Sequence, residues 1–308
     1  MRFAFVHCHG SGNDFPLVDA RALTLDDGAW AAVARALADR AGAVGGDGLL
    51  LLTAGDERHA FGMRMFNADG SEAEQCLNGL RCVARAGLAA LDLDRAPVRT
   101  KGGTVEVWCE AEIAPGVATI GERAGPCSLD TARWPLGKHV RVVKAVVPEL
   151  DAARRFTAVS IGNPHLIAFV DTLDEAELVR LGEACEAAPA WLPNRANVSF
   201  VELRGEADLF VRTFERGVGL TDSCGSAMAA STYAACLTGR RAWDAWATVW
   251  NRGGRVRARA AANGTVTLAG NATWEWEGEV DVADGVASGL VVTRRYEDET
   301  KAWERMGA

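Results

Sequence analysis

The chain carries one pattern of apolar and polar positions twice. From Met63 to Asn67 the residues read as an alternating strand with one buried face. A polar loop containing Gly70 follows, then Cys76, then an apolar, Ala-rich run from Asn78 to about Ala90 that predicts a helix. From Val211 the order recurs: strand, polar loop with Gly217 and Gly219, Cys224, and an apolar helix from Ser226 to about Thr238. Aligned without a gap, Arg64, Phe66 and Cys76 fall on Arg212, Phe214 and Cys224, a constant offset of 148 residues. A second echo places Gly12-Asn13, ahead of Phe15-Pro16-Leu17-Val18-Asp19, against Gly162-Asn163, ahead of Leu166-Ile167-Ala168-Phe169-Val170-Asp171. Two echoes, each at an offset of about half the chain length, predict two halves of common ancestry related by pseudo-two-fold symmetry.

A chain of 308 residues also exceeds what one hydrophobic core normally organises. The expected division is residues 1–122, completed by a return strand within about 272–308, around Cys76, and residues 123–271 around Cys224. Asp298 to Met306 reads as a short amphipathic helix with no assigned role.

Composition narrows the class. Acidic residues (41) outnumber basic ones (33) and no basic run stands out, which argues against a nucleic-acid partner. The opening Met1-Arg2-Phe3-Ala4-Phe5-Val6 is interrupted too soon by His7 and His9 for a signal peptide. No apolar stretch approaches the roughly 20 residues that span a bilayer. A cytoplasmic protein without a membrane partner is expected. Its eight cysteines then read as reduced thiols. No Cys-x-x-Cys pair suggests a metal site, so none is expected. Cys8, Cys82, Cys109, Cys127, Cys185 and Cys236 read as small core residues.

Cys76 and Cys224 differ because the repeat delivers each to the N-terminal end of a helix. There the dipole and free N–H groups favour an anion, so each thiol pKa is expected to fall. Two such thiols on opposite faces of one carbon are what stereoinversion needs, one removing the α-proton and the other returning one. A cysteine hydrolase would need one thiol and a His base; a pair of symmetric structural cysteines is the plain alternative. The N–H groups of Leu77-Asn78-Gly79 and Gly225-Ser226-Ala227 would stabilise charge developing on a substrate carboxylate. Gly79, Gly225 and Ser226 are small enough for close approach. Four lysines (Lys101, Lys138, Lys144, Lys301) lack a Schiff-base context, and no Gly-x-Gly-x-x-Gly turn is present, so no cofactor is expected. Asn13, Asn67, Asn163 and Asn197 are candidate substrate ligands or plain turn residues. Glu215-Arg216 would clamp an ammonium and a carboxylate, or form a surface ion pair. His165 would tune a thiol or serve structurally, and Glu215 is a second candidate for tuning one.

These residues resemble the diaminopimelate epimerase family from residue 5 to about 280. The resemblance rests on Gly10-Ser11-Gly12-Asn13-Asp14-Phe15, Gly45-Gly46-Asp47-Gly48 and Phe66-Asn67-Ala68-Asp69-Gly70-Ser71-Glu72-Ala73. It continues in Cys76-Leu77-Asn78-Gly79-Leu80-Arg81-Cys82-Val83-Ala84-Arg85, Gly162-Asn163-Pro164-His165, Asn197-Val198, Glu215-Arg216-Gly217 and Cys224-Gly225-Ser226. It implies an α+β fold of two halves, each a curved, mostly antiparallel sheet around a central helix, with the site between them. It implies a homodimer, no metal or cofactor, and an amino-acid substrate, LL- or meso-diaminopimelate. Cys76 and Cys224 would be the acid–base pair. Asn13, Asn67, Asn163, Asn197, Glu215 and Arg216 match substrate positions, with Arg216 on the distal carboxylate; Gly79, Gly225 and Ser226 fall in the loops that take the reacting one. Leu77 and Ala227 stand where the family usually has Gly, and a bulky Leu77 would narrow or reshape the site. A racemase of another amino acid, such as histidine, and a non-catalytic amino-acid-binding relative are the alternatives.

Overall fold

The structure, a computed structural model, describes every residue except Gln75, Glu206 and Ala308, with Ala152 and Gly307 described by backbone alone. Gln75, which precedes Cys76 in the repeat, thus lies outside the described residues. In chain order the elements are β1 (Arg2–Gly10), β2 (Asn13–Asp19), α1 (Asp27–Ala38), β3 (Gly48–Ala54), β4 (Phe61–Asn67), α2 (Leu77–Leu91), β5 (Arg95–Thr100), β6 (Gly103–Glu110) and β7 (Thr119–Ala124). Then come β8 (Ala145–Val147), β9 (Asp151–Ser160), β10 (Pro164–Phe169), α3 (Glu175–Glu186), β11 (Asn197–Arg204), β12 (Asp208–Glu215), β13 (Gly219–Thr221) and α4 (Gly225–Leu237). The chain ends with β14 (Ala247–Asn251), β15 (Gly254–Ala260), β16 (Val266–Asn271), β17 (Thr273–Ala283), β18 (Val286–Arg295) and α5 (Glu297–Gly307). Two compact units result: Met1–Glu122 with Ala269–Ala308, and Arg123–Leu268.

In the first unit β1 pairs antiparallel with β2 and β17, β2 runs parallel to β3, β3 antiparallel to β4, and β4 parallel to β5. The run Leu49-Leu50-Leu51-Leu52 does not alternate because β3 is covered on both faces. Leu49 and Leu51 pack with Trp30, Val33 and Leu37 of the outer helix α1. Leu50 meets the inner helix α2, where a Cβ on Gly79 would come within 2.6 Å of its Cδ2. The second unit repeats the plan. Strands β10 and β11 are parallel, β11 and β12 antiparallel, β12 and β14 parallel. Outer helix α3 buries Leu178, Leu181 and Cys185 against Leu166, Val198, Phe200 and Phe214. Inner helix α4 is buried from Gly225 to Cys236 and is apolar nearly all round, as a central helix must be.

The capping residues distinguish outer from inner helices. Asp26 and Asp174, 148 residues apart, cap α1 and α3 by accepting the N–H groups of Ala29 and Glu177. The inner helices α2 and α4 start instead on Cys76 and Cys224. Each repeated arginine ties its strand to the outer helix and to the cysteine loop. Arg64 reaches Asp27 and Glu72, both at 2.7 Å; Arg212 reaches Glu175 at 2.7 Å and Asp222 at 3.0 Å.

The C-terminal segment extends the first unit. Strand β18 pairs antiparallel with β17, and α5 starts one residue before the expected Asp298. Arg85 stacks on Trp274 at 3.9 Å and pairs with Glu299 at 2.6 Å, while Ala302 and Met306 cover Val117. Five of the six cysteines expected in the core are buried, but Cys109 is exposed. It lies two residues after the buried Val107, one residue before the end of β6, where its N–H bonds to the Asp94 carbonyl. No helix among the described residues is long and apolar enough to cross a membrane.

Candidate active site

In the first unit the Cys76 sulfur sits at the α2 N-cap, half-buried, and accepts the Gly79 N–H at 3.3 Å. Asn13 Oδ1 lies 3.8 Å from that sulfur and accepts from Asn78 Nδ2 at 3.5 Å. The turn that presents Asn13 is left-handed at Ser11 and Gly12. The Asn13 amide donates to Asp47, and Arg40 bridges Asp47 and Asp14. Asn67 closes the loop leading to Cys76, its amide donating to Ser71 Oγ at 2.9 Å. Leu77 points into the protein at 3 % exposure, beside Met63, Met65 and Leu80, and lines a small cavity together with Cys76. Gly79 has no such room: a Cβ there would press on Leu50 at 2.6 Å and on the Cys76 sulfur at 3.3 Å.

One residue that the sequence reading left unassigned organises this cluster from below. Arg81, one turn after Asn78 and fully buried, donates to Asn78 Oδ1 (2.9 Å), Ser11 Oγ (3.1 Å), the Asn271 carbonyl (3.0 Å) and Glu122 Oε1 (3.0 Å). Glu122 Oε2 is buried without a partner, and burial lifts the Glu122 carboxyl to about 7 although Arg81 opposes the rise. A charge within the apolar run of α2 was the available signal, because such a charge requires a partner.

In the second unit the predicted residues form one chain of contacts. Arg216 N–H donates to Asn197 Oδ1 at 2.8 Å, Asn197 Nδ2 lies 3.4 Å from His165 Nε2, and His165 Nε2 lies 3.0 Å from Asn163 Oδ1. Asn163 Nδ2 donates to Ser226 Oγ at 3.2 Å, and that oxygen lies 3.4 Å from the Cys224 sulfur. The pair Asn163–Ser226 thus repeats Asn13–Asn78. Ala227 occupies the place of Gly79 and is buried without exposure. His165 is fully buried, and its pKa falls to about 3 through burial and the Arg216 charge, which leaves it neutral. It orders Asn163 and Asn197. The Arg216 guanidinium donates to the Asn194 carbonyl at 3.2 Å. Glu215, at the end of β12, accepts from the Thr221 hydroxyl.

The expected fall of the thiol pKa is reversed at Cys224. Burial pushes it well above its ordinary value, the nearby Glu215 carboxylate adds to the rise, and the Ser226 hydroxyl and Ala227 N–H only partly offset it. Cys224 caps α4 without a full side-chain hydrogen bond, so the helix terminus does not outweigh desolvation. The two cysteines therefore share a position in the repeat but not an environment.

Comparison with known proteins gives one answer. The family model for diaminopimelate epimerase matches residues 5–123 and again 157–275. A diaminopimelate epimerase of Clostridium acetobutylicum is 38% identical over 304 residues, covering 96% of this chain and 91% of that protein. One from Listeria innocua is 36% identical, covering 93% and 91%. Among solved structures, a phenazine biosynthesis protein of the PhzF family from Bacillus anthracis superposes with a TM-score of 0.66 at 19% identity, covering 92% of this chain and 100% of that one. A hydroxyproline epimerase from Agrobacterium vitis superposes at 0.63 with 14% identity, covering 100% and 97%. These two likenesses show the fold.

Proposed function

The chain belongs to the diaminopimelate epimerase family, and we propose that it is an isomerase interconverting LL- and meso-diaminopimelate by moving the α-proton between Cys76 and Cys224. The observation that supports the two-thiol reading is the shared placement of both cysteines at the N-caps of the inner helices, where Asp caps the outer ones. Cysteine is an unusual N-cap, so its occurrence at both inner helices supports a chemical role.

In this reading a thiolate takes the α-proton from one face, and the other thiol gives its proton to the opposite face. Each turnover leaves the two sulfurs with exchanged protonation, and the reverse reaction restores them. Cys76, half-buried and accepting an N–H bond, is the base of the resting enzyme. Cys224, kept protonated by burial and Glu215, is the acid. Charge developing on the reacting carboxylate is met by N–H groups of the first turns of α2 and α4, around Leu77, Asn78 and Gly79 and around Gly225 and Ser226. Asn13, Asn67, Asn163, Asn197 and Glu215 bind the polar groups of the substrate, and Arg216 takes the distal carboxylate in a charge-assisted bond. The same reading includes a cytoplasmic homodimer, which light scattering after gel filtration tests for assembly.

Incubation of the reduced protein with LL-diaminopimelate in D₂O tests the substrate. The expected result is deuterium at the α-carbon together with meso product, and none with L-histidine. Exchange with histidine instead would assign a racemase of another amino acid, and exchange with no amino acid would leave a binding protein.

A further inference from the structure

The second unit contains a cavity of about 270 Å³ lined by Lys144, Ala153, Arg154, Arg155, Thr157, Phe169 and Arg240. None of the candidate active-site residues lines it. Four of its seven lining residues are basic, in a protein of net charge −8. Arg154 is neutralised by Glu177. Lys144, Arg155 and Arg240 have no carboxylate within ion-pair distance among the described residues, so about three positive charges face one small space. The Arg240 guanidinium carbon lies over the Phe169 ring, 4.1 Å from its centroid, and the buried Nη1 has no acceptor among the described residues. Burial without a counter-charge lowers its pKa from the ordinary value. Lys144 is held at φ 49°, a left-handed conformation that a non-glycine residue adopts at a cost, while its N–H bonds to Thr157 Oγ1 at 3.3 Å. Arg155 Nη1 holds the Lys144 carbonyl at 3.1 Å. The strained turn is thus braced from two sides with its side chain at the cavity.

Lys144 and Arg155 are exposed and Arg240 is half-buried over Phe169, so a partly desolvated guanidinium without an acceptor, flanked by two solvated cations, favours a compact anion. The volume lies just below the usual range of about 300–1,000 Å³ for small-molecule sites, which suits one or two phosphate groups and excludes a dinucleotide. We propose that this cavity binds a small phosphate-bearing anion, held by Lys144, Arg155 and Arg240, as a site separate from the reacting thiols.

Calorimetric titration of the full chain with pyrophosphate, at low and at moderate salt, tests this. Binding is expected, weaker at the higher salt, and at least tenfold weaker in Lys144→Gly and Arg240→Gln, each of which loses a charge-assisted bond. Lys144→Gly removes the charge where glycine adopts the backbone without strain, so folding is preserved and epimerase turnover stays at the wild-type level. Absence of pyrophosphate binding, or unchanged affinity in both variants, overturns the site. Equal binding of citrate at matched ionic strength overturns the phosphate assignment.

Discussion

Arg81 Nη1 lies 3.0 Å from Glu122 Oε1, with both side chains fully buried beneath Asn78 and Ser11. The pair leaves one carboxylate oxygen without a partner, so the proton on Glu122 is in balance near neutrality. Between its ordinary value of 4.5 and its folded value of about 7, the folded protein holds this proton and the unfolded chain does not. Stability therefore falls as pH rises through that window, by about 3 kcal/mol at most from this group. His165 titrates in the opposite sense below pH 6.5, so the contrast with Glu122→Gln isolates Glu122: by urea unfolding, the wild type should lose stability relative to the variant between pH 5 and pH 8. An equal pH dependence in both would remove Glu122 as a source. Arg81→Leu leaves the carboxylate buried alone and should cost about 3–5 kcal/mol at pH 8.

His165 acts in the opposite sense. Its folded pKa of about 3 lies below the ordinary 6.5, so below pH 6.5 the unfolded chain takes up a proton that the folded protein refuses. The stability associated with neutral His165 is complete above pH 6.5 and lost on acidification towards pH 3, by up to about 5 kcal/mol. His165→Gln should flatten that acid limb and weaken substrate binding through Asn163 and Asn197. An acid limb of unchanged slope would contradict the assignment.

The unlike surroundings of the two thiols predict unlike reactivity. Cys76 is half-buried, whereas Cys224 is buried and its pKa is raised. Iodoacetamide at pH 7, followed by peptide mass spectrometry, should alkylate Cys76 several-fold faster, since only accessible thiolate reacts. Faster loss of Cys224 would reverse the proposed resting roles of base and acid.

Much of the fold was legible because the repeat is written in both residue type and spacing. Arg64 and Arg212 coincide because each must reach an acid on the first turn of an outer helix and another on the cysteine loop. Asn163, His165, Asn197, Arg216, Cys224 and Ser226 are brought together because parallel pairing sets His165 beside Asn197 in register. Arg81 escaped notice because it belongs to only one half, with Ala229 at the corresponding place in the other. The environment of Cys224 escaped notice for a different reason. Sequence reveals the helix terminus, but the desolvation that outweighs it depends on how deeply α4 is enclosed. Leu77 illustrates the same limit: its bulk is visible in the sequence, its inward direction only in the structure.

The central claim is that Cys76 and Cys224 are both required for inversion. Conversion of LL- to meso-diaminopimelate, with deuterium incorporation from D₂O, is the direct measurement in Cys76→Ala and Cys224→Ala, each checked for native folding by circular dichroism. Each substitution is expected to lower turnover about a thousandfold or more, since each removes an obligatory proton carrier. Wild-type turnover in either variant would contradict it.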